Sequence, residues 1–204
     1  ADNYDHQAIQ LIAGLKQGQS IMIPGDKISK AIKNLWNEGL FSDVEIYADK
    51  EVAGIVYLVI AVTPRPKLSR FKFKGINKRD ADKIRTEISL FSGKTINENL
   101  VFSTEAKIKG YFREKGYYSV QVDIKRVPDS LMNNSEIFLI DIDKGKKVGI
   151  VKLIIEGNES IPDWKLRMAM KDTKRKSILR VFKRSKYSVS AYERDKLAVI
   201  AKFN

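Results

Sequence analysis

The 204-residue chain has no cysteine and only one histidine, His6. It also has no run of about 18 apolar residues, the length that a membrane-spanning helix needs, so no such helix is predicted. Without cysteine, neither a disulfide framework nor a thiolate metal site can form. With a single histidine near one end, histidine-based triads and metal clusters are disfavoured.

Motifs for enzyme chemistry are also scarce. The carboxylates are scattered, and no pair falls at helical spacing on an apolar face, as acid–base catalysis would favour. Gly93-Lys94-Thr95 is only the tail of a phosphate-binding loop and lacks its first glycine. The sequence therefore predicts a protein that is not an enzyme and has no catalytic residue, no cofactor and no metal.

The charge is strongly one-sided, with a formal net charge of +13. Such a charge favours acidic partners, whether nucleic acid, anionic lipid or acidic protein. The start, Ala1–Asp5, has no basic stretch followed by an apolar one, so any signal peptide has already been removed. The lack of cysteine fits an oxidising compartment.

The first 65 residues read as two helices followed by two strands. Apolar residues at helical spacing predict a helix over 5–15 and a second one with Asp26 as its N-cap. The apolar face of the second helix comprises Ile28, Ala31, Ile32, Leu35 and Trp36. A strand follows around Val44 and Ile46, and another over Ile55–Val62. Pro64 and Pro66 form a stiff linker.

The same order of elements recurs twice. Residues 68–74 predict a strand, 80–90 and 97–114 two helices, and 119–126 and 135–143 two further strands. After a basic linker at 144–147, a strand over Val148–Glu156 and a helix near Ile161-Pro162 begin a third copy. Its last helix starts near Ser190, which has the spacing of a capping box with Glu193.

An internal repeat of roughly 80 residues connects these copies. Leu35–Val44 matches Tyr111–Val120 at a helix-to-strand junction, and Phe73–Asn77 matches Ile155–Glu159 at a strand-to-helix junction. We expect three modules: 1–65 without a clear first strand, 66–145 complete, and 146–204 cut short before its last two strands.

Connection rules predict the sheet of each module. The second and third strands form a hairpin, whereas the first strand pairs in parallel with the third through a right-handed two-helix crossover. The fold class is thus α+β, with tandem β-α-α-β-β modules whose three-stranded mixed sheets, in order 1-3-2, pack on two helices. The second strand lies at an edge with unpaired backbone groups.

This repeat resembles the POTRA (polypeptide-transport-associated) domain. The resemblance rests on Gly39–Val44, on Gly116–Val120 and on Pro24–Ile32, which leads to Leu35-Trp36 as in BamA-type outer-membrane assembly factors. It implies an array on the periplasmic face of the bacterial outer membrane, continuous with a C-terminal membrane β-barrel. It also implies that the array receives unfolded outer-membrane proteins and docks accessory lipoproteins.

The edge strands are the first candidate site, because an exposed strand can pair with an extended client through main-chain hydrogen bonds. The alternative is that they are ordinary sheet edges protected by charge, such as that of Asp123 and Lys125. The predicted peptide-binding residues are Val44, Glu45, Ile46, Tyr47, Val120, Gln121, Val122, Asp123, Ile124 and Lys125.

Two further groups carry weaker hypotheses. Aromatic residues at the junctions could line a groove, but their helical spacing favours burial in the core; they are Trp36, Phe41, Phe112, Tyr117 and Tyr118. A basic segment within 171–186 could contact anionic lipid, an acidic partner or nucleic acid, or be a solvated loop. Its predicted docking residues are Lys174, Arg175, Lys176, Arg180, Lys183 and Arg184.

Taken together, these features predict the polypeptide-binding scaffold of an outer-membrane protein assembly machine, which works by strand addition and docking. A POTRA region from a related secretion or translocation barrel is one alternative. A basic nucleic-acid-binding protein is another, but no recognition motif supports it, so nucleic acid is not an expected partner.

Overall fold

A computed structural model of the chain describes residues 5–23, 25–173 and 187–202. Along this part of the chain, pairs of helices alternate with groups of two or three strands. In order they are α1 (His6–Ala13), α2 (Asp26–Asn37), β1 (Phe41–Val52), β2 (Ile55–Pro64), β3 (Lys67–Lys74), α3 (Lys78–Glu87), α4 (Glu98–Glu114), β4 (Gln121–Pro128), β5 (Ser135–Asp143), α5 (Asp163–Ala169) and α6 (Val189–Ile200).

The first block extends from α1 to β2. It consists of a hairpin of β1 and β2 and of the two helices that pack with it. The strands are antiparallel, with Val44 opposite Val62 and Ile46 opposite Ile60. Buried residues from the two helices and from β1 form its core: Ala13, Ala31, Leu35, Phe41 and Val44. The two residues between the strands, Ala53 and Gly54, both have positive φ, as a tight hairpin turn requires.

The middle block, which extends from β3 to β5, contains a three-stranded sheet in the order β3-β5-β4. When β3, β4 and β5 are numbered as strands 1, 2 and 3 of the module, this is the order 1-3-2. The predicted strand order is therefore confirmed. The central position of β5 explains its apolar sequence, since Phe138, Ile140 and Ile142 are buried. Buried side chains on the helices include Ile84 of α3 together with Ile108 and Phe112 of α4.

The connector between α3 and α4 extends the hydrogen bonding beside β3. Leu68 donates its N–H to the Lys94 carbonyl at 2.8 Å, and Gly93 donates to the Leu68 carbonyl at 2.7 Å. Ile96 donates to the Pro66 carbonyl at 2.9 Å, and Lys67 forms an antiparallel bridge with Thr95. The strand β3 therefore lies between β5 on one side and this connector on the other.

The strand predicted over Val148–Glu156 is not formed, and this prediction was wrong. Val148 donates its N–H to Gly116 and accepts from Tyr187, but these contacts do not continue as a ladder. A strand needs a partner along its length, and among the described residues none of the five strands pairs with this segment.

Two predicted helix caps were also wrong. At α2 the N-cap is Gly25, which has no side chain to offer, and Asp26 is the first helical residue. At α6 the N-cap is Ser188, whose hydroxyl accepts from the Ala191 N–H at 3.2 Å, so Ser190 already lies inside the helix. The helix predicted near Ile161-Pro162 is confirmed as α5, with Pro162 as its N-cap.

By its contacts the described chain divides into two compact units. One comprises the described residues within 1–70, 91–100 and 127–137, and the other comprises those within 71–90, 101–126 and 138–204. The module boundaries at 65/66 and 145/146 stay a prediction from the repeat.

Candidate functional site

The strand β1 carries the first group of predicted binding residues. It pairs with β2 along one edge, and among the described residues no strand pairs with its other edge. Val44 is buried in the core, whereas Glu45 and Tyr47 are exposed and Ile46 is half-buried. The four residues thus lie together on one strand that has an open edge.

The strand β4 carries the second group and lies at the end of the order β3-β5-β4. Val122 and Ile124 are half-buried and alternate with exposed neighbours, as the sequence predicts. Val120 is a correction: it precedes the first residue of the strand and its side chain is buried, so it is not part of the strand edge. Among the described residues no strand pairs with the outer edge of β4, and this edge begins at Gln121.

Charge is present on this second edge. Lys125 Nζ lies 3.8 Å from Asp123 Oδ2, and both side chains are well exposed. An exposed pair of this kind adds little to stability. It is the type of charge that discourages uncontrolled pairing of edge strands while leaving the main-chain groups accessible. Edge strands of this kind combine open main-chain groups with charged side chains that restrict pairing.

The junction aromatics divide into two groups. Phe41 and Phe112 are fully buried, and Tyr117 and Tyr118 are half-buried, as the helical spacing predicts. Trp36 differs, since it is 41% exposed although it belongs to the predicted apolar face of α2. Leu35 occupies the buried position next to it, and the face of a helix is too narrow to bury both.

A polar cluster between α3 and α4 was missed by sequence reasoning. Asp80 accepts hydrogen bonds from Tyr111 Oη at 2.9 Å and from the Lys115 ammonium. Burial alone would raise the pKa of Asp80, but the bonds from Lys115 and Tyr111 outweigh it and lower that pKa. Burial acts to lower the pKa of Lys115, yet Asp80 raises it overall.

This cluster holds the two helices together. A shallow cavity of about 440 Å³ lies beside it, lined by Glu87, Lys107, Gly110, Tyr111, Glu114 and Lys115. The polar groups of the cluster are engaged with one another, since Asp80, Tyr111 and Lys115 form a closed set of hydrogen bonds. The arrangement favours a structural role. Nothing local in the sequence indicates it, because Asp80 and Lys115 are 35 positions apart.

A second missed cluster joins the end of α4 to the start of α6. The rings of Tyr118 and Tyr187 lie 5.7 Å apart, and those of Tyr187 and Tyr192 lie 6.4 Å apart. Such distances fall in the range of stabilising aromatic pairs. Burial raises the pKa of Tyr118. The aromatic contacts bring the segment that follows residue 186 against the middle block.

The remaining predictions concern the basic segment, metal binding and membrane-spanning helices. The basic docking residues, Lys174, Arg175, Lys176, Arg180, Lys183 and Arg184, lie outside the described residues. Within the ranges that the structure describes, no set of three or more histidine or acidic side chains is placed to hold a metal ion. Within the same ranges, no helix has both the length and the apolar character to cross a membrane.

Comparisons with known proteins found a matching family model, a relative and similar solved structures. Residues 66–145 match the family model POTRA, described as a surface antigen variable number repeat. The chain is 29% identical over 136 residues to the outer membrane protein assembly factor BamA of Nitratidesulfovibrio vulgaris strain Hildenborough. This match covers 67% of the chain and 17% of that relative, so the chain spans about a sixth of its length.

Among solved structures, the POTRA3-5 region of Haemophilus influenzae BamA is 17% identical, with a TM-score of 0.45. The match covers 98% of this chain and 81% of that one. The N-terminal domain of Omp85 from Thermosynechococcus elongatus is 15% identical, with a TM-score of 0.48. That match covers 97% of this chain and 79% of the other.

Proposed function

We propose a polypeptide-binding function, which the match of residues 66–145 to the family model POTRA supports. The region receives unfolded outer-membrane proteins by adding their extended segments to the open edges of β1 and β4. It acts on the periplasmic face of the bacterial outer membrane as part of an assembly machine. It also docks accessory subunits, and the process requires no bond chemistry and no cofactor.

The observation that carries the proposal is the position of β4 at the end of the three-stranded sheet. A terminal strand offers a row of N–H and C=O groups to any extended chain, whatever its side chains. Such independence from side-chain identity suits a protein that handles many different precursors. The alternation of half-buried Val122 and Ile124 with exposed Asp123 supplies a weak side-chain preference.

A second open edge supports the same function. In β1 the exposed residues Glu45 and Tyr47 flank half-buried Ile46. An added strand would therefore meet an apolar side chain at Ile46, a charged one at Glu45 and an amphipathic one at Tyr47. Two sites on one chain would raise the effective concentration of a client and so its overall affinity. Docking of accessory subunits and contact with anionic lipid are assigned to the basic residues within 171–186.

Two other functions are kept as alternatives. A related secretion or translocation protein would use the same POTRA domain and the same edges for a different client. A nucleic-acid-binding function is favoured only by the net charge of +13. Binding to phosphates would weaken steeply as salt rises, so a mobility shift at two salt concentrations separates it from strand addition.

Titration of the isotope-labelled chain by nuclear magnetic resonance tests the proposal. The ligand is a peptide of about ten residues copied from an outer-membrane barrel strand. We expect shifts concentrated at residues 44–47 and 121–125. A peptide with proline at its centre should bind less, because it lacks a main-chain donor. Shifts elsewhere only, or equal binding of the proline peptide, would contradict strand addition.

A further inference from the structure

Two connecting segments of the middle block present apolar side chains to solvent. The connector between α3 and α4 carries Phe91, which is 60% exposed. The turn between β4 and β5, residues 129–134, carries Leu131 and Met132, which are 80% and 49% exposed. Between residues 66 and 145, all of which the structure describes, no large apolar side chain is more exposed than Leu131. These residues lie outside both proposed strand edges and outside the basic segment within 171–186.

Hydrogen bonds hold both segments beside the start of β3. Lys67 donates its N–H to the Asn134 carbonyl at 2.9 Å, and Gly93 donates to the Leu68 carbonyl at 2.7 Å. All of these residues belong to one of the two compact units of the chain. The two segments therefore flank the start of β3 on opposite sides, and their apolar side chains belong to one end of the sheet.

The turn at 129–134 is ordered by its own contacts. The Asp129 side chain accepts from the Leu131 N–H at 3.1 Å, and the Asp129 carbonyl accepts from the Met132 N–H at 3.2 Å. The side-chain amide of Asn134 donates to the Arg65 carbonyl at 3.3 Å. A turn that is fixed in this way needs little further ordering when it binds a partner. It also keeps its two apolar side chains at the surface.

Basic side chains surround these apolar groups. The ranges 65–70, 91–95 and 129–134 contain one acidic residue, Asp129, and four basic residues: Arg65, Lys67, Arg70 and Lys94. Asp129 is buried, and its Oδ2 lies 3.7 Å from Nη2 of Arg70. Of the next acidic residues along the chain, Glu98 lies in the first turn of α4 and Glu136 is half-buried. This end of the sheet therefore offers a surface that is both apolar and cationic.

We infer that this surface binds an anionic lipid bilayer, with Leu131, Met132 and Phe91 at the boundary between head groups and acyl chains. Leucine and phenylalanine next to lysine and arginine are the combination that favours this boundary. Lys94 Nζ lies 5.1 Å from the ring centre of Phe91, so a charge and an apolar anchor are adjacent. Each basic side chain close to an anionic membrane strengthens binding by about fivefold.

Other acidic partners fit this surface less well. Single-stranded nucleic acid stacks its bases on aromatic side chains, and Leu131 and Met132 have no ring to offer. An acidic protein would need an apolar pocket shaped for the projecting turn. A fluid bilayer accepts a projecting apolar group without a matching shape, so the combination of apolar tip and basic surroundings favours lipid.

A fluorescent label tests this inference on the full chain, which has no cysteine of its own. Leu131→Cys carries nitrobenzoxadiazole, whose emission moves to shorter wavelength when the label enters a bilayer. Leu11→Cys is the matched control, because Leu11 is 82% exposed on α1, a helix without lysine or arginine. With vesicles of phosphatidylcholine and phosphatidylglycerol, we expect the shift at residue 131 and none at residue 11. The label reports on the turn itself, whichever other part of the chain holds the vesicle.

Three results would overturn the inference. The first is no shift at residue 131, or equal shifts at 131 and 11. The second is an equal shift with vesicles of phosphatidylcholine alone, because the basic side chains would then contribute nothing. The third is a shift at 131 when a barrel-strand peptide is added but none when vesicles are added, which would assign the turn to a protein partner.

Lys67→Gln in the labelled chain tests the cationic part of the surface. It should raise by about fivefold the concentration of anionic lipid that gives half of the shift at residue 131. Lys27→Gln removes the same charge from an exposed position of α2 and is the control. Equal effects of the two replacements would overturn the inference, because only the net charge of the chain would then matter.

These outcomes can be separated from those for the proposed function. None of the residues that form this surface lies within 44–47 or 121–125. Peptide binding at those strand edges without a shift at residue 131 leaves the proposed function intact and removes only the inference. A shift at residue 131 without peptide binding does the reverse.

Discussion

Glu114, the last residue of α4, accepts a hydrogen bond from the Ser190 hydroxyl in the first turn of α6. The hydroxyl of Ser188, the N-cap of α6, lies 3.4 Å from the same carboxylate oxygen. The negative charge therefore lies at the N-terminus of α6, where the helix dipole favours it. One side chain of the middle block thus stabilises a helix that begins more than 70 residues later.

Replacement Glu114→Gln removes this charge and keeps the shape of the side chain. We expect the amides of α6 to exchange faster with solvent, by an amount equal to about 0.5–1 kcal/mol of local stability. Glu159→Gln, at an exposed position away from α6, is the control and should leave those amides unchanged. Equal exchange in both variants would mean that the Glu114 charge does not support α6.

Asp195 of α6 should be more sensitive. It is buried, and its carboxylate accepts from the backbone N–H groups of Lys171, Asp172 and Thr173. Asp195→Asn puts an amide donor against these donors, and each buried group left unpaired costs roughly 1–3 kcal/mol. We expect urea unfolding to report a loss in that range or above.

Asp172→Asn is the control for that substitution. Asp172 Oδ2 lies 3.1 Å from Arg194 in an exposed pair, which typically contributes about 1 kcal/mol or less. If the two variants lose equal stability, the backbone contacts of Asp195 are not what holds the end of α5 against α6.

The same carboxylate predicts a pH dependence. Burial acts to raise the pKa of Asp195, but the hydrogen bonds from Thr173, Asp172 and Lys171 lower it overall. A carboxyl group with a depressed native pKa stabilises the fold above its unfolded pKa of about 3.9 and loses that contribution as the pH falls through the native pKa. Asp80 shifts in the same direction.

Acid should therefore destabilise the native chain more than the Asp195→Asn variant. Urea unfolding at about pH 6 and about pH 3 measures this difference, since the interval includes the unfolded pKa. Equal losses in the two proteins would show that the Asp195 carboxylate does not titrate with a depressed pKa.

Gly75 lies in the turn between β3 and α3, with φ of 82°, and a Cβ atom there would lie 2.1 Å from the Ile142 carbonyl oxygen. Gly93 has a similar φ of 88° but nothing within 4 Å of such an atom. Both alanine variants incur about 1–2 kcal/mol for the left-handed backbone. Gly75→Ala must also displace β5, so urea unfolding should show the larger loss for it. Equal losses would argue against this close approach.

The elements of the first two blocks could be predicted from sequence because their signals are local. The predicted strand over 135–143 has the same bounds as β5, since its apolar density and flanking turn are properties of adjacent residues. The order 1-3-2 could also be predicted, because hairpin and crossover rules allow few arrangements. The open edge of β4 follows directly from that order.

What could not be predicted depends on contacts between distant residues. The segment over 148–156 has the alternation of a strand, but no local pattern says whether a partner strand will lie beside it. Asp80 and Lys115 meet only because α3 and α4 pack together.

Disulfide trapping at the edge of β4 tests strand addition at this edge, because the chain has no cysteine of its own. In Asp123→Cys, a client strand paired with β4 brings a facing peptide cysteine to about 4.5–5.5 Å between Cβ atoms, close to the distance that a disulfide needs. Leu139→Cys is on the central strand, 40% exposed but about 10 Å from an added strand. We expect a mixed disulfide at residue 123 and little at 139; equal trapping at both positions, or none at 123, would rule out strand addition at β4.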